Sequence, residues 1–119
     1  MRRRVALMLM LITPFASAHH SNAMFDRGSE ALLTGTVKEF QWTNPHCWIQ
    51  LLVDSSSGAV EWSIEMEDPR GVYRAGLRPD SFHPGDKIAV TVHPAWDGKR
   101  VVMYVSAKDS TGRPIGNAP

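Results

Sequence analysis

Two adjacent histidines, His19 and His20, directly follow the small-residue triplet Ala16-Ser17-Ala18. Such a triplet is typical of the cleavage site of a signal peptide. Cleavage after Ala18 would make His19 the first residue, so its free α-amine and its ring nitrogen could close a chelate ring on one metal ion. Imidazole suits Cu(II), which heads the affinity series of the divalent ions. The α-amine must lose a proton to bind, which is accessible because such groups titrate at about 7.7–8.0. The sequence therefore predicts a copper site that processing creates.

A third nitrogen ligand would come from another histidine. His46 lies in the loop between the first two predicted strands, and His93 ends the fourth. Those loops flank one surface in an OB barrel, so the two histidines are expected to converge. His20 could bind through its ring, although the short backbone that joins it to His19 makes it a strained partner for the same ion. Each histidine also has an ordinary alternative, because His46 could cap a turn and a free terminus is usually mobile.

Four further side chains indicate chemistry around the ion, or a different function. Met24 offers a thioether for Cu(I), and Glu65 could orient a ligating imidazole or bind a cation. Trp48 and Trp96 could form a stacking surface for a sugar, a base or a protein partner. The alternation of the third strand nevertheless puts Glu65 on the polar face, where a carboxylate is more often simply solvated.

The first 18 residues are expected to be a signal peptide, with a basic start at Arg2-Arg3-Arg4 and an apolar run too short to span a bilayer. Their removal leaves 101 residues and lowers the formal net charge from +1 to −2. That length fits one small domain, and the mildly acidic balance argues against nucleic acid as a partner. Cys47 is the only cysteine, so no internal disulfide can form, and its strand pattern predicts that it is buried.

The rest of the chain reads as short β-strands separated by turn signals. Five strands are predicted at 32–42, 47–53, 60–66, 87–93 and 100–107, and a short helix at 68–75. Asp68 followed by Pro69 is an N-cap with proline at the first helical position. Three strands, a helix and two strands is the order of an OB barrel, so we predict a small five-stranded all-β barrel of that type. Residues 19–30 form an N-terminal segment, 31–107 the barrel and 108–119 a flexible tail.

Several motifs together resemble those of a known family. They are His19-His20-Ser21, "MFD" at 24–26, "FQWTNPHCWI" at 40–49, "EWSIE" at 61–65, "PGD" at 84–86 and "HPAWDG" at 93–98. The chain resembles the exported bacterial proteins of domain-of-unknown-function family 6152 over essentially the whole mature length. The resemblance implies export and a small β-domain, and it implies no activity. Its members more often carry a small polar residue where Cys47 stands, so no mechanism rests on that thiol.

Three functions are consistent with these residues. The first is a periplasmic protein that binds copper for storage, delivery or resistance, with a metal-handling or envelope protein as partner. The second is a metal-free ligand- or partner-binding module of the cell envelope that uses Trp48 and Trp96. The third, a copper oxygenase, is the least favoured, because the sequence holds no catalytic triad, nucleotide loop or HExxH motif.

Overall fold

The computed structural model describes residues 22–117. The predicted signal peptide and both His19 and His20 therefore lie outside the described residues. A 3-10 turn at Asn22–Met24 precedes the regular elements. These are β1 (Ala31–Gln41), β2 (Trp48–Ser55), β3 (Gly58–Glu65), α1 (Pro69–Arg74), β4 (Lys87–His93), β5 (Val101–Asp109) and β6 (Pro114–Ile115).

The strands close into a barrel. β1 pairs antiparallel with β2 on one side and with β4 on the other, β2 pairs with β3, and β4 pairs with β5. A parallel pairing of Ser63–Glu65 with residues 101–103 joins β3 to β5 and completes the ring. This confirms the predicted fold, a small all-β barrel of OB type with one short helix between the third and fourth strands.

Alternation along each strand supplies the core. Ile49, Ile64, Val92 and Val102, on four different strands, are buried, and by alternation their neighbours along each strand face the other way. Burying side chains of this size contributes about 1.5–3 kcal/mol each relative to exposure. The helix begins as predicted, because the Asp68 carboxylate accepts a hydrogen bond of 2.7 Å from the Gly71 amide.

Within the segment 108–119, expected to be a flexible tail, residues 108–109 and 114–115 lie in strands. β5 continues to Asp109, and β6 pairs with it through Ala107 and Lys108. Beyond β6, the Asn117 amide donates to the Ala75 carbonyl at the end of α1 at 2.8 Å. The Asn117 side chain donates to the Arg74 carbonyl at 3.0 Å. These two bonds satisfy helix carbonyls that have no partner within the helix.

Among residues 22–117, no helix is long and apolar enough to cross a membrane.

Candidate functional site

The loop that carries His46 is fixed at both ends. Its Asn44–Pro45 peptide bond is cis. The Thr43 hydroxyl donates to the His46 carbonyl at 2.7 Å. The Cys47 amide donates to the Glu67 carbonyl, and the Cys47 carbonyl accepts from the Met66 amide, both at 2.9 Å. The backbone of His46 is therefore held against the end of β3.

The ring of His46 is oriented by a backbone carbonyl. Its Nδ1 lies 3.0 Å from the Met66 carbonyl oxygen, which can only accept a hydrogen bond. Nδ1 must therefore carry the proton of a neutral ring, and Nε2 faces the carboxylate of Glu65, with 3.5 Å between Nε2 and Oε1. His46 and Glu65 thus form a close pair, in which the lone pair of Nε2 is directed at the carboxylate.

Glu65 is buried, whereas the sequence favoured a solvated carboxylate on the polar face of β3. Only 4% of the residue is exposed. It does point outward, opposite to the buried Ile64, as the alternation predicted. Two neighbours cover it: Met103, opposite it in the parallel pairing of β3 with β5, and His46 from the loop before β2.

A cavity of about 500 Å³ opens beside this pair, between the end of β3, the helix and β5. Its lining combines polar and apolar side chains, among them Arg27, His46, Glu65, Val72, Met103 and Tyr104. The space is large enough for several waters or a small ligand.

The strand register extends the site around the barrel. Trp48 lies opposite Glu65, Glu65 lies opposite Met103, and Met103 lies opposite His93. Residues opposite each other in a sheet share a face, so these four side chains form one row on the outer surface. We call this row, with His46 at its side, the outer row. Met103 lies on the outer face beside His93, next to a register shift between Thr91 and Val92.

His93 is oriented in the same way as His46. Its Nδ1 lies 2.8 Å from the carbonyl oxygen of Ser29 and must be the donor, so its Nε2 is left with a lone pair. Two strand spacings, roughly 10 Å, separate the backbone of His93 from that of Glu65. The structure thus puts His46 and His93 at opposite ends of Glu65 and Met103.

The N-terminal segment docks next to His93. Phe25 forms an antiparallel bridge with Ala95 and is only 3% exposed. The Asp26 amide donates to the Pro94 carbonyl at 2.9 Å, and the Trp96 amide donates to the Met24 carbonyl at 3.1 Å. The chain that leads back toward His19 is therefore pinned to the loop after β4.

Met24 and Trp96, both predicted site residues, lie in this docked region, and Trp96 is 68% exposed. Trp48 is half-buried and stands beside Gln41 on β1 as well as Glu65 on β3. The two tryptophans therefore belong to different parts of the surface, Trp48 to the outer row and Trp96 to the loop after β4.

Burial favours the protonated forms of two side chains near the site, the buried Cys47 and the half-buried Tyr104. Burial raises the pKa of the Cys47 thiol, and this effect outweighs the lowering effect of a backbone hydrogen bond with Thr43. Burial also raises the pKa of Tyr104 to about 12. Within residues 22–117, no group of three or more histidine, cysteine, aspartate or glutamate side chains could hold a metal ion.

Sequence reasoning missed Ser29, which acts through a backbone carbonyl that every residue possesses. It also missed Arg27 and Tyr104, which line the cavity. Nothing in the sequence around Arg27 indicates that it lines a cavity, since its spacing of three residues from Met24 is not a motif.

The fold and the site define a small closed β-barrel of OB type with a histidine–carboxylate pair at its rim. Residues 8–104 match the model of a Family of unknown function (DUF6152), and the chain belongs to that family.

Among solved structures, the barrel is similar to two crystal forms of Rim1, a mitochondrial single-stranded DNA binding protein from S. cerevisiae. One form has 11% sequence identity and a TM-score of 0.52, and the other has 10% identity and a TM-score of 0.51. Each comparison covers 76% of this chain and 97% of the Rim1 chain. At that identity the likeness shows the fold alone. None of the curated proteins matches the chain.

Proposed function

We propose that the protein binds one copper ion through His93 together with the α-amine and imidazole of His19, after cleavage behind Ala18. The observation that supports this most directly is the hydrogen bond of 2.8 Å from His93 Nδ1 to the Ser29 carbonyl. Metal-ligating histidines commonly donate their second ring nitrogen to a carbonyl, which fixes the tautomer and directs the other nitrogen at the ion.

The docked N-terminal segment supports the same pairing of ligands. Met24 is anchored beside Trp96, three residues after His93. His19 stands five residues before Met24, and five residues of chain reach at most about 17 Å. The processed terminus is thus tethered close to His93, which raises its effective concentration at the ion.

His46 fits this ion less well than His93. Its Nε2 already faces the Glu65 carboxylate at 3.5 Å, on the far side of Met103 from His93. His93 is therefore the third nitrogen in this proposal, and His20 remains an adjacent ring that the chelate does not require.

Such a site suits storage or delivery of copper in the periplasm, with a periplasmic metal-handling or envelope protein as partner. Export and signal cleavage are part of the proposal, because they create the ligand. Turnover is not part of it.

The test is a Cu(II) titration followed by electron paramagnetic resonance on protein processed to begin at His19. We expect one tightly bound ion with a nitrogen-rich axial spectrum. A control with one extra residue ahead of His19 should lose the tight site, as should His93→Ala. His83→Ala is the matched control, because His83 lies on the surface beside Asp86 and should have no effect. Equal, weak binding by the processed and extended proteins would rule the proposal out.

A second candidate, the metal-free binding module, is favoured by the surface around Trp48. Gln50 donates to Gln41 at 3.0 Å and accepts from Ser63 at 2.7 Å, so fixed amides lie next to a half-buried indole. Aromatic faces beside such groups bind planar or sugar ligands. Trp48→Ala should then abolish ligand binding in the N-terminally extended protein, whereas the copper proposal predicts no dependence on Trp48.

A further inference from the structure

We infer that His46 and Glu65 form a second, separate metal site, which holds a first-row transition-metal dication such as Zn²⁺ between Nε2 and Oε1. This site goes beyond the proposed copper function and does not require the processed amino terminus. It lies at the edge of the cavity, on the opposite side of Met103 from His93.

The first argument is the arrangement of lone pairs. The Met66 carbonyl fixes the proton of neutral His46 on Nδ1, 3.0 Å away. Nε2 and the Glu65 carboxylate oxygen then face each other as two acceptors at 3.5 Å. Two acceptors in that position repel unless a proton or a metal ion lies between them.

The second argument is geometric. Zinc binds histidine nitrogen at about 2.0–2.1 Å and carboxylate oxygen at about 2.0–2.2 Å. With bonds of that length, donors 3.5 Å apart subtend an angle of roughly 115° at the ion. That angle is close to tetrahedral, so Nε2 and Oε1 are already spaced as two ligands of one ion.

The third argument is the burial of Glu65. Its side chain is 5% exposed and borders the cavity, and the group that faces its carboxylate is His46 Nε2, 3.5 Å away. Buried charges are normally paired or coordinate metals. A cation between these two atoms would give the carboxylate a full charge partner.

The remaining coordination positions would be open. Residues 22–117 offer no third histidine, cysteine, aspartate or glutamate to such an ion. The thioether of Met103 borders the same cavity, and the space of about 500 Å³ leaves room for water ligands. With two strong protein donors only, the ion should exchange readily.

The test uses Zn²⁺ added to the protein with one extra residue ahead of His19, so that the N-terminal chelate cannot form. Calorimetry should show one bound zinc ion, and ¹⁵N NMR should show a shift of the His46 Nε2 resonance. Glu65→Gln and His46→Gln should each weaken binding by at least tenfold. Glu67→Gln is the matched control, because Glu67 lines the same cavity but is exposed, and it should bind zinc as the unmutated protein does.

Glu65→Gln also guards against a folding artefact. Its amide can donate to Nε2, so the variant should keep or raise its melting temperature while it loses zinc. Equal zinc affinity in Glu65→Gln and in the unmutated protein would overturn the inference, as would a His46 Nε2 resonance that zinc leaves unchanged. The zinc result does not depend on the copper proposal, because the extended protein used for the zinc titration has no free His19 amine.

Discussion

Docking of the N-terminal segment depends on one buried side chain, and Phe25→Ala should release it. Phe25 is 3% exposed. Within residues 22–117, two backbone hydrogen bonds join residues 24–26 to residues 94–96, one donated by the Asp26 amide and one by the Trp96 amide, and Phe25 lies between them. Truncation of a buried phenylalanine to alanine costs about 3–5 kcal/mol. The loss falls first on the docked segment, because no strand of the barrel contains Phe25.

At 1.4 kcal/mol for each factor of ten, a loss of about 3 kcal/mol raises the opening equilibrium of this segment roughly 100-fold. Amide hydrogen exchange measures that equilibrium directly. The amides of Asp26 and Trp96 should exchange about 100-fold faster in Phe25→Ala, and those of Ile49 and Ile64 should remain the better protected. Leu32→Ala is the control, because Leu32 is 67% exposed and its removal should change neither.

The same substitution tests how the terminus reaches the ion. If docking holds His19 near His93, Phe25→Ala should weaken copper binding by up to roughly 100-fold, the same factor as the opening. Unchanged exchange at Asp26 would show that Phe25 does not hold the segment. Fast exchange with unchanged copper affinity would show that docking does not position the amino terminus, and either result would refute the reasoning.

Three further predictions follow from the described side chains. Burial raises the pKa of Tyr104 from 10.0 to about 12, so the protonated side chain contributes to folding stability fully below pH 10. Up to about 3 kcal/mol of that stability is lost as the pH rises through 12. Tyr104→Phe should remove this loss in alkaline denaturation, and parallel stability curves for the two proteins would contradict the prediction. Burial also raises the pKa of Cys47, so a disulfide reagent should label the thiol only after unfolding, and rapid labelling of the native protein would show access that the structure does not. Residues 19–119 carry a formal net charge of −2, and Lys38 on β1 is paired with Glu61 at 3.0 Å, so we expect no salt-dependent binding of single-stranded DNA. A salt-sensitive rise in oligonucleotide anisotropy would disprove this.

Local patterns predicted most of the fold because each barrel strand has one buried face. β4 begins and ends at the predicted residues, 87 and 93, where apolar and polar residues alternate cleanly and Pro84 and Pro94 flank the strand. β6 could not be predicted in this way. Pro114 and Ile115 form a strand of only two residues, which is too short to show any alternation.

The site was predicted less completely, because its decisive contacts are tertiary. Alternation correctly directed Glu65 outward, but its burial comes from β5, whose Met103 pairs with it across 38 residues of sequence. The contact between His46 and Glu65, and the bond from His93 to the Ser29 carbonyl, likewise depend on barrel closure and on a docked segment. No residue type or spacing signals such contacts in advance.

The parallel pairing of β3 with β5 also has a consequence for the order in which the molecule assembles. β2 and β3 are joined by a hairpin of two residues and can pair early, whereas closing β3 against β5 must bring together residues far apart in the chain, which costs more loop entropy. Glu65 and Met103 meet only in that closing step. We therefore expect the outer row to be among the last parts of the surface to form during folding, so zinc binding during refolding would report complete closure of the barrel rather than the earlier hairpins.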